Sequence, residues 1–151
     1  DDTIQHAGIV TGLGGYAGHS HKYRPRTSGG YMFRAATVQD FSAVTAACLL
    51  VRAEVFDALN GLDEGFTVAF NDVDFCLKLR EMGYLNVFTP FAELYHYESI
   101  SRGLDTDGAK AARYNEESAK FREKWKQLLE EGDPYYNPNF TLDKSDYSLR
   151  V

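Results

Sequence analysis

The 151-residue chain predicts an α/β fold, a short mixed sheet with flanking helices and a long C-terminal helix. Three observations carry that prediction. Short apolar runs at residues 3–11, 43–51 and 84–89 are bounded by glycine, proline or polar turn residues, as strands are. Residues 71–82 carry acids in the first turn, an apolar face, and Gly83 after the last turn, which is the pattern of a helix. Residues 109–131 are charged on one side, with Ala112, Ala119, Trp125, Leu128 and Leu129 available for packing.

Taken in order, residues 3–11 read as a strand that ends in the turn Gly12-Leu13-Gly14-Gly15. From there to Gly30 the chain is polar and aperiodic, so a long loop is expected. Residues 43–51, rich in Val, Ala and Leu, read as a buried strand. Residues 52–59 suit a short helix stopped by Asn60-Gly61, which tolerate left-handed backbone. In the helix at 71–82, Asn71 is the expected N-cap, and Val73, Cys76 and Leu77 share a face extended by Phe75, Leu79 and Met82. Residues 84–89 form a strand broken by Pro90, and 93–97 a second short strand leading into a polar turn at 99–103. Gly132-Asp133-Pro134 ends the long helix, and the tail from Tyr135 reads as an extended segment laid over a surface.

This length suits one domain spanning residues 1–151, and 44% hydrophobic content can bury a core. The net charge of -6 and absence of a Lys/Arg stripe argue against nucleic acid as a partner. With mean hydropathy of -0.39 and no apolar run near ~18 residues, no membrane span is expected. The first residues lack the basic start and apolar stretch of a signal peptide, and the missing initial Met leads us to expect a piece of something longer. Cys48 and Cys76 both sit among apolar neighbours and read as buried, reduced thiols, which fits a cytoplasmic setting.

Asn71-Asp72-Val73-Asp74 is the most informative tetrapeptide. Acids two apart on a helix point about 200° from each other and cannot face one ligand. With Asn71 as cap, Asp74 would reach back to the cap amide, leaving Asp72 to project from the helix end as an ionised carboxylate. Such a group can act as a general base toward a hydroxyl. Equally, both acids can simply complement the helix dipole. Elsewhere, His6, His19 and His21 lack companion ligands and read as ordinary loop histidines. The Gly12–Gly15 turn lacks the helix that a phosphate cradle needs. Arg24, Arg26 and Arg34 suit either a phosphate contact or a soluble loop, and Trp125 reads as a packing anchor.

The wider order of motifs is more specific: Val44-Thr45-Ala46-Ala47-Cys48-Leu49-Leu50-Val51-Arg52, Gly61-Leu62-Asp63-Glu64-Gly65-Phe66, Phe70-Asn71-Asp72-Val73-Asp74-Phe75-Cys76-Leu77, and His96-Tyr97-Glu98-Ser99-Ile100-Ser101-Arg102-Gly103. Over residues 4–103 this resembles the second half of family 2 glycosyltransferases of the GT-A fold. The resemblance implies a partial GT-A-like domain, the C-terminal acceptor-binding half, with the nucleotide-binding half and its Asp-x-Asp motif absent. It implies Asp72 as the catalytic base, with Asn71 standing where relatives carry Glu. Asp74 and Arg80 take structural roles, and His96 is a ligand to a divalent cation, Mn or Mg, on the donor diphosphate. Ser101 and Arg102 belong to a loop over that diphosphate, and Ala46, Ala47 and Cys48 to a small-residue strand beneath the acceptor pocket.

The implied reaction, in an intact parent, is inverting transfer of a sugar from a nucleotide-diphosphate donor to a glycan or lipid-linked acceptor. Cell-surface polysaccharide synthesis at the inner face of the membrane is its usual setting. A metal-held nucleotide sugar is compatible with the acidic chain, because the cation reverses the local charge. The fragment alone is expected to be inactive. Two other classes stay open: a non-catalytic carbohydrate-binding or interaction module of the same fold, and a metal-dependent hydrolase built on Asp72 and His96, for which ligands are few.

Overall fold

A computed structural model describes residues 2–97 and 108–150. Its strands are β1 (Ile9–Thr11), β2 (Ala17–His19), β3 (Gln39–Phe41) and β4 (Asn86–Phe88). Its helices are α1 (Ala53–Ala58), α2 (Asn71–Glu81), α3 (Gly108–Lys124) and α4 (Lys126–Glu131). The chain is thus a small α/β fold, with short two-stranded sheets, flanking helices and a C-terminal helix pair.

In place of one mixed sheet, the described residues form two antiparallel pairs, β1 with β2 and β3 with β4. The first is a hairpin whose β1 falls in the expected strand and whose β2 lies inside the stretch expected to be loop. Gly12, Gly14 and Gly15 take positive φ (86°, 65° and 84°) and turn the chain back, so Val10 faces Gly18. Periodicity could not reveal β2, because Ala-Gly-His carries no alternating apolar signal. The second pair sets Asp40 opposite Val87. A single bridge, Ile9 to Ala43, with the Ile9 amide 2.9 Å from the Ala43 carbonyl, joins the two pairs.

The expected strand at 43–51 stops almost at once. Ala43 and Val44 are buried, but Ala46–Cys48 is a turn of 3-10 helix capped by Thr45, whose Oγ1 accepts from the Ala47 amide at 3.3 Å. Ala46, Ala47 and Cys48 are exposed there, so Cys48 is a surface thiol, contrary to expectation. The small side chains bury too little apolar area to hold the segment inside. Residues 93–97 likewise form no strand.

Helix α2 is the centre of the molecule, with Val73 to Leu77 buried without interruption. One side, with Val73, Cys76 and Leu77, packs in the main core with Phe66, Phe70, Phe121 and Trp125. The other, with Phe75 and Leu79, meets Val55 of α1. Asn60 and Gly61, at φ 56° and 73°, end α1 as expected.

The long C-terminal helix breaks at Trp125, whose φ and ψ of -108° and 22° separate α3 from α4 and turn the buried indole toward α2. The tail packs into a second small core, shared with β1 and β3, rather than lying as a surface strap. Tyr136 and Tyr147 are buried with Val10, Leu13 and Phe41, and the Thr141 amide donates to the Ser148 carbonyl at 2.8 Å. That core explains Gly8, at φ 92°, where a Cβ would run into the Phe41 ring.

Candidate functional site

The N-terminus of α2 brings together three of the residues singled out by sequence. Phe70, left-handed at φ 63°, precedes the helix as its cap, so Asn71 is the first helical residue and not the cap. Asn71 Oδ1 accepts from the Asp72 amide at 2.7 Å. Asp72 Oδ1 accepts from the Val73 amide at 2.9 Å, and Oδ2 from the Ala46 amide at 3.0 Å. The carboxylate is half-buried, and each oxygen has a single donor among the described residues although each can accept two hydrogen bonds. Asp72 therefore ties the 3-10 turn to the start of α2 and keeps acceptor capacity. No ion pair engages it among the described residues.

Asp74 does something else than the capping expected of it. It is fully buried, with Oδ1 2.7 Å from Lys124 Nζ and 2.9 Å from the indole nitrogen of Trp125. Lys78 Nζ lies 2.8 Å from Oδ2, off the axis of a formed hydrogen bond, as an ion pair. Lys124 also reaches Asp63 Oδ2 at 3.0 Å. Hydrogen bonding to Lys124, helped by the Gly65 amide, pulls the Asp63 carboxyl down to about 2. Beneath the site, burial pushes the Cys76 thiol up to about 11, so it stays neutral between the Val44 amide and carbonyl, each 3.5 Å away. Arg80 extends from the same helix to Ser42 Oγ at 3.1 Å, a structural contact.

His96 lies exposed in the irregular segment 93–97 and makes no hydrogen bond or ion pair with a described residue. Ser101 and Arg102 fall outside the described residues. Among the described residues there is no group of three or more His, Cys, Asp or Glu able to hold a metal ion. A lone imidazole can supply one ligand, but these residues do not fit a complete metal centre.

The other histidines are internal. The Gly8 amide donates to His6 Nε2 at 3.3 Å, so the proton on His6 sits on Nδ1, 3.0 Å from His19 Nδ1. Burial, then the nearby His19, lowers His6 to about 3. His21 Nε2 accepts from the Tyr31 amide at 3.0 Å, while Nδ1 meets Ser20 Oγ at 2.6 Å. Burial, then Arg34 and Arg24, lowers it to about 4. Arg34 lies over the Phe41 and Tyr147 rings, and Arg26 pairs with Glu93 and Asp2. Trp125 is the packing anchor expected of it.

Sequence reasoning missed Glu117, a buried carboxylate bound to the loop just ahead of α2. Its acid neighbours on a charged helix gave no local signal. Also unforeseen is an apolar groove of about 230 Å³ lined by Leu49, Leu50, Val55, Leu79, Tyr84 and Leu85, among others. Leu50 at its rim is 98% exposed.

Comparison with known proteins adds a different kind of finding. Along 99% of its length the chain is 51% identical to an uncharacterized protein of Sinorhizobium fredii, y4gI, of which it covers 16%. Over the same share it is 39% identical to the O-antigen biosynthesis protein RfbC of Myxococcus xanthus, covering 12% of that protein. Over 71 residues, 47% of the chain, it is 35% identical to the N-acetylglucosaminyl-diphospho-decaprenol L-rhamnosyltransferase of Mycobacterium tuberculosis, covering 23% of it. The chain therefore spans less than a quarter of the length of these curated relatives. No family model matches it, and no solved structure does. The chain is a partial homologue of glycosyltransferases.

Proposed function

We propose that the chain is the acceptor-binding half of an inverting, family 2 glycosyltransferase of the GT-A fold, with Asp72 as its base. The observation that carries the reading is Asp72 itself. Its carboxylate is fixed by the Ala46 and Val73 amides at the start of a helix, yet among the described residues no second donor takes the remaining lone pair of either oxygen, which leaves one for an incoming hydroxyl. In the reaction, Asp72 takes the proton of the acceptor hydroxyl. The acceptor oxygen bonds to the anomeric carbon from the face opposite the nucleotide diphosphate, whose bond to that carbon breaks. Asn71 orients the first turn through the Asp72 amide, and exposed Ala46, Ala47 and Cys48 leave room for a sugar ring beside it.

The nucleotide-binding half belongs to a longer parent, as the length of the relatives suggests. The groove around Leu50 is the apolar surface it would cover, since a 98% exposed leucine on a lined groove is unusual for a finished core. His96 would offer one ligand to a Mn or Mg ion of that parent, and Ser101 and Arg102 would contact the donor diphosphate. The relatives' O-antigen and decaprenol names support a glycan or lipid-linked acceptor as part of this reading, and the cytoplasmic face of the membrane is proposed with it. A non-catalytic carbohydrate-binding module is the second reading, favoured by Asn71 where the resemblance expects an acid.

The deciding experiment uses the full-length parent enzyme with Asp72→Asn. Transfer should fall by about 10²- to 10⁴-fold, the range for losing a general base, while donor binding by calorimetry is unchanged. Near-normal turnover would remove Asp72 as the base; a parent without any transfer would leave the binding-module reading.

A further inference from the structure

We infer that Glu117 of α3 is a positioning residue that sets the start of α2 and thereby the placement of Asp72, an inference that rests on the base assignment proposed above. Glu117 is 5% exposed, and its carboxylate reaches 48 to 50 residues back along the chain. Oε1 accepts from the Thr67 amide at 3.0 Å and from Thr67 Oγ1 at 2.6 Å, while Oε2 accepts from the Ala69 amide at 2.6 Å. The Val68 amide adds to the same cluster. Burial pushes this carboxyl up, but the four donors together hold it below the usual range, so it remains an anion in place.

The loop it grips leads directly into α2. These amides belong to no strand or helix, and without Glu117 they would lose their protein acceptor. Phe70 follows in a left-handed conformation that costs a side chain about 1–2 kcal/mol. No side chain caps the helix there. What holds Phe70 is again α3: its ring stacks on Phe121 at 4.8 Å and lies 5.7 Å from Tyr114. The Phe70 carbonyl then accepts from the Asp74 amide at 2.8 Å, the first bond of α2, and Asp72, the second residue of the helix, reaches Ala46. A continuous path of short contacts thus runs from Glu117 to the carboxylate two residues past the cap.

The test is made on the 151-residue chain by NMR at neutral pH, following the chemical shift of the Asp72 carboxyl carbon and the hydrogen exchange of the Ala46 amide. Glu117→Gln keeps the shape but replaces one acceptor oxygen with a donor. It should move the Asp72 carboxyl-carbon chemical shift and speed Ala46 exchange by about tenfold or more through local opening. The control is Val55→Ala, in the separate cluster on the far side of α2, compared at equal distance from its urea midpoint. The control should move neither signal. Wild-type behaviour in Glu117→Gln, or equal movement in the control, overturns the inference. Should Glu117→Gln not fold, Glu117→Asp keeps the charge on a shorter stem; intermediate values support the inference and wild-type values overturn it. Because these signals do not need turnover, an active Asp72→Asn parent would remove the base and leave the clamp, whereas an unmoved Asp72 signal would remove the clamp and leave the base.

Discussion

The indole N–H of Trp125 donates to Asp74 Oδ1 at 2.9 Å, joining the break between α3 and α4 to the middle of α2. The carboxylate that accepts it has no exposure, and it is balanced by Lys124 at 2.7 Å and Lys78 at 2.8 Å. A charge buried this way stabilises only as a set, because each member offsets the desolvation of the others.

Asp74→Ala should therefore destabilise the chain by about 3 kcal/mol, the lower end for breaking a buried pair, since both lysines can still turn toward water. A urea titration reads this as a lowered midpoint at unchanged slope. Trp125→Phe, which keeps most of the ring but loses the N–H, should cost about 1–2 kcal/mol. Equal losses in the two variants would mean that packing, not charge balance, dominates the junction.

Acid stability follows from the lowered groups. His6 and His21 titrate at about 3 and about 4 when folded and near 6.5 when unfolded, so between those values the unfolded chain binds more protons. Their contribution is complete above the unfolded value and is lost as pH falls from about 6.5 to about 4 for His21 and to about 3 for His6. Asp63, held near 2, adds a further loss below its ordinary value of 3.8. Melting temperature should drop steadily from neutral pH downward, and His21→Gln should flatten the upper part of that slope. A profile level from pH 7 to 4 would contradict the buried histidines.

The two thiols should separate cleanly. Cys48 is exposed and Cys76 is buried with its thiol pushed up to about 11. A thiol reagent at pH 8 should label one site in the native chain and both in denaturant, with peptide mapping placing the native label on Cys48. Rapid native labelling of Cys76 would mean that α2 opens far more readily than its packing allows.

Leu50→Ser tests the groove. With 98% of the residue already exposed, the change should leave the urea midpoint of this chain within about 0.5 kcal/mol, as for other surface positions. Leu77→Ala, in the fully buried core, should cost about 2–5 kcal/mol. In the longer parent the Leu50→Ser change should be destabilising; a neutral effect there would show that nothing covers the groove.

Local chemistry settled much of this protein in advance. The place of α2, the Asn60-Gly61 stop, β4 before Pro90 and the packing role of Trp125 follow from turn residues and apolar spacing, which act within a few residues, whereas the cap of α2 is Phe70 and not the expected Asn71. The order of motifs was likewise readable, and the chain has partial homology to glycosyltransferases. What local signals could not decide was which polar groups meet across distance. Asp74 looked like a cap and became the centre of a buried charge set, because its partner Lys124 lies fifty residues away. Residues 43–51 looked like a buried strand, yet Leu50 faces outward, because burial depends on what packs above a segment and not on its composition. Glu117 looked like one acid on a charged helix, and only the tertiary fold brings it to the amides ahead of α2. Spacing along the chain governs helices and turns, whereas the pairing of charges and the exposure of apolar edges arise only when distant segments share one interior.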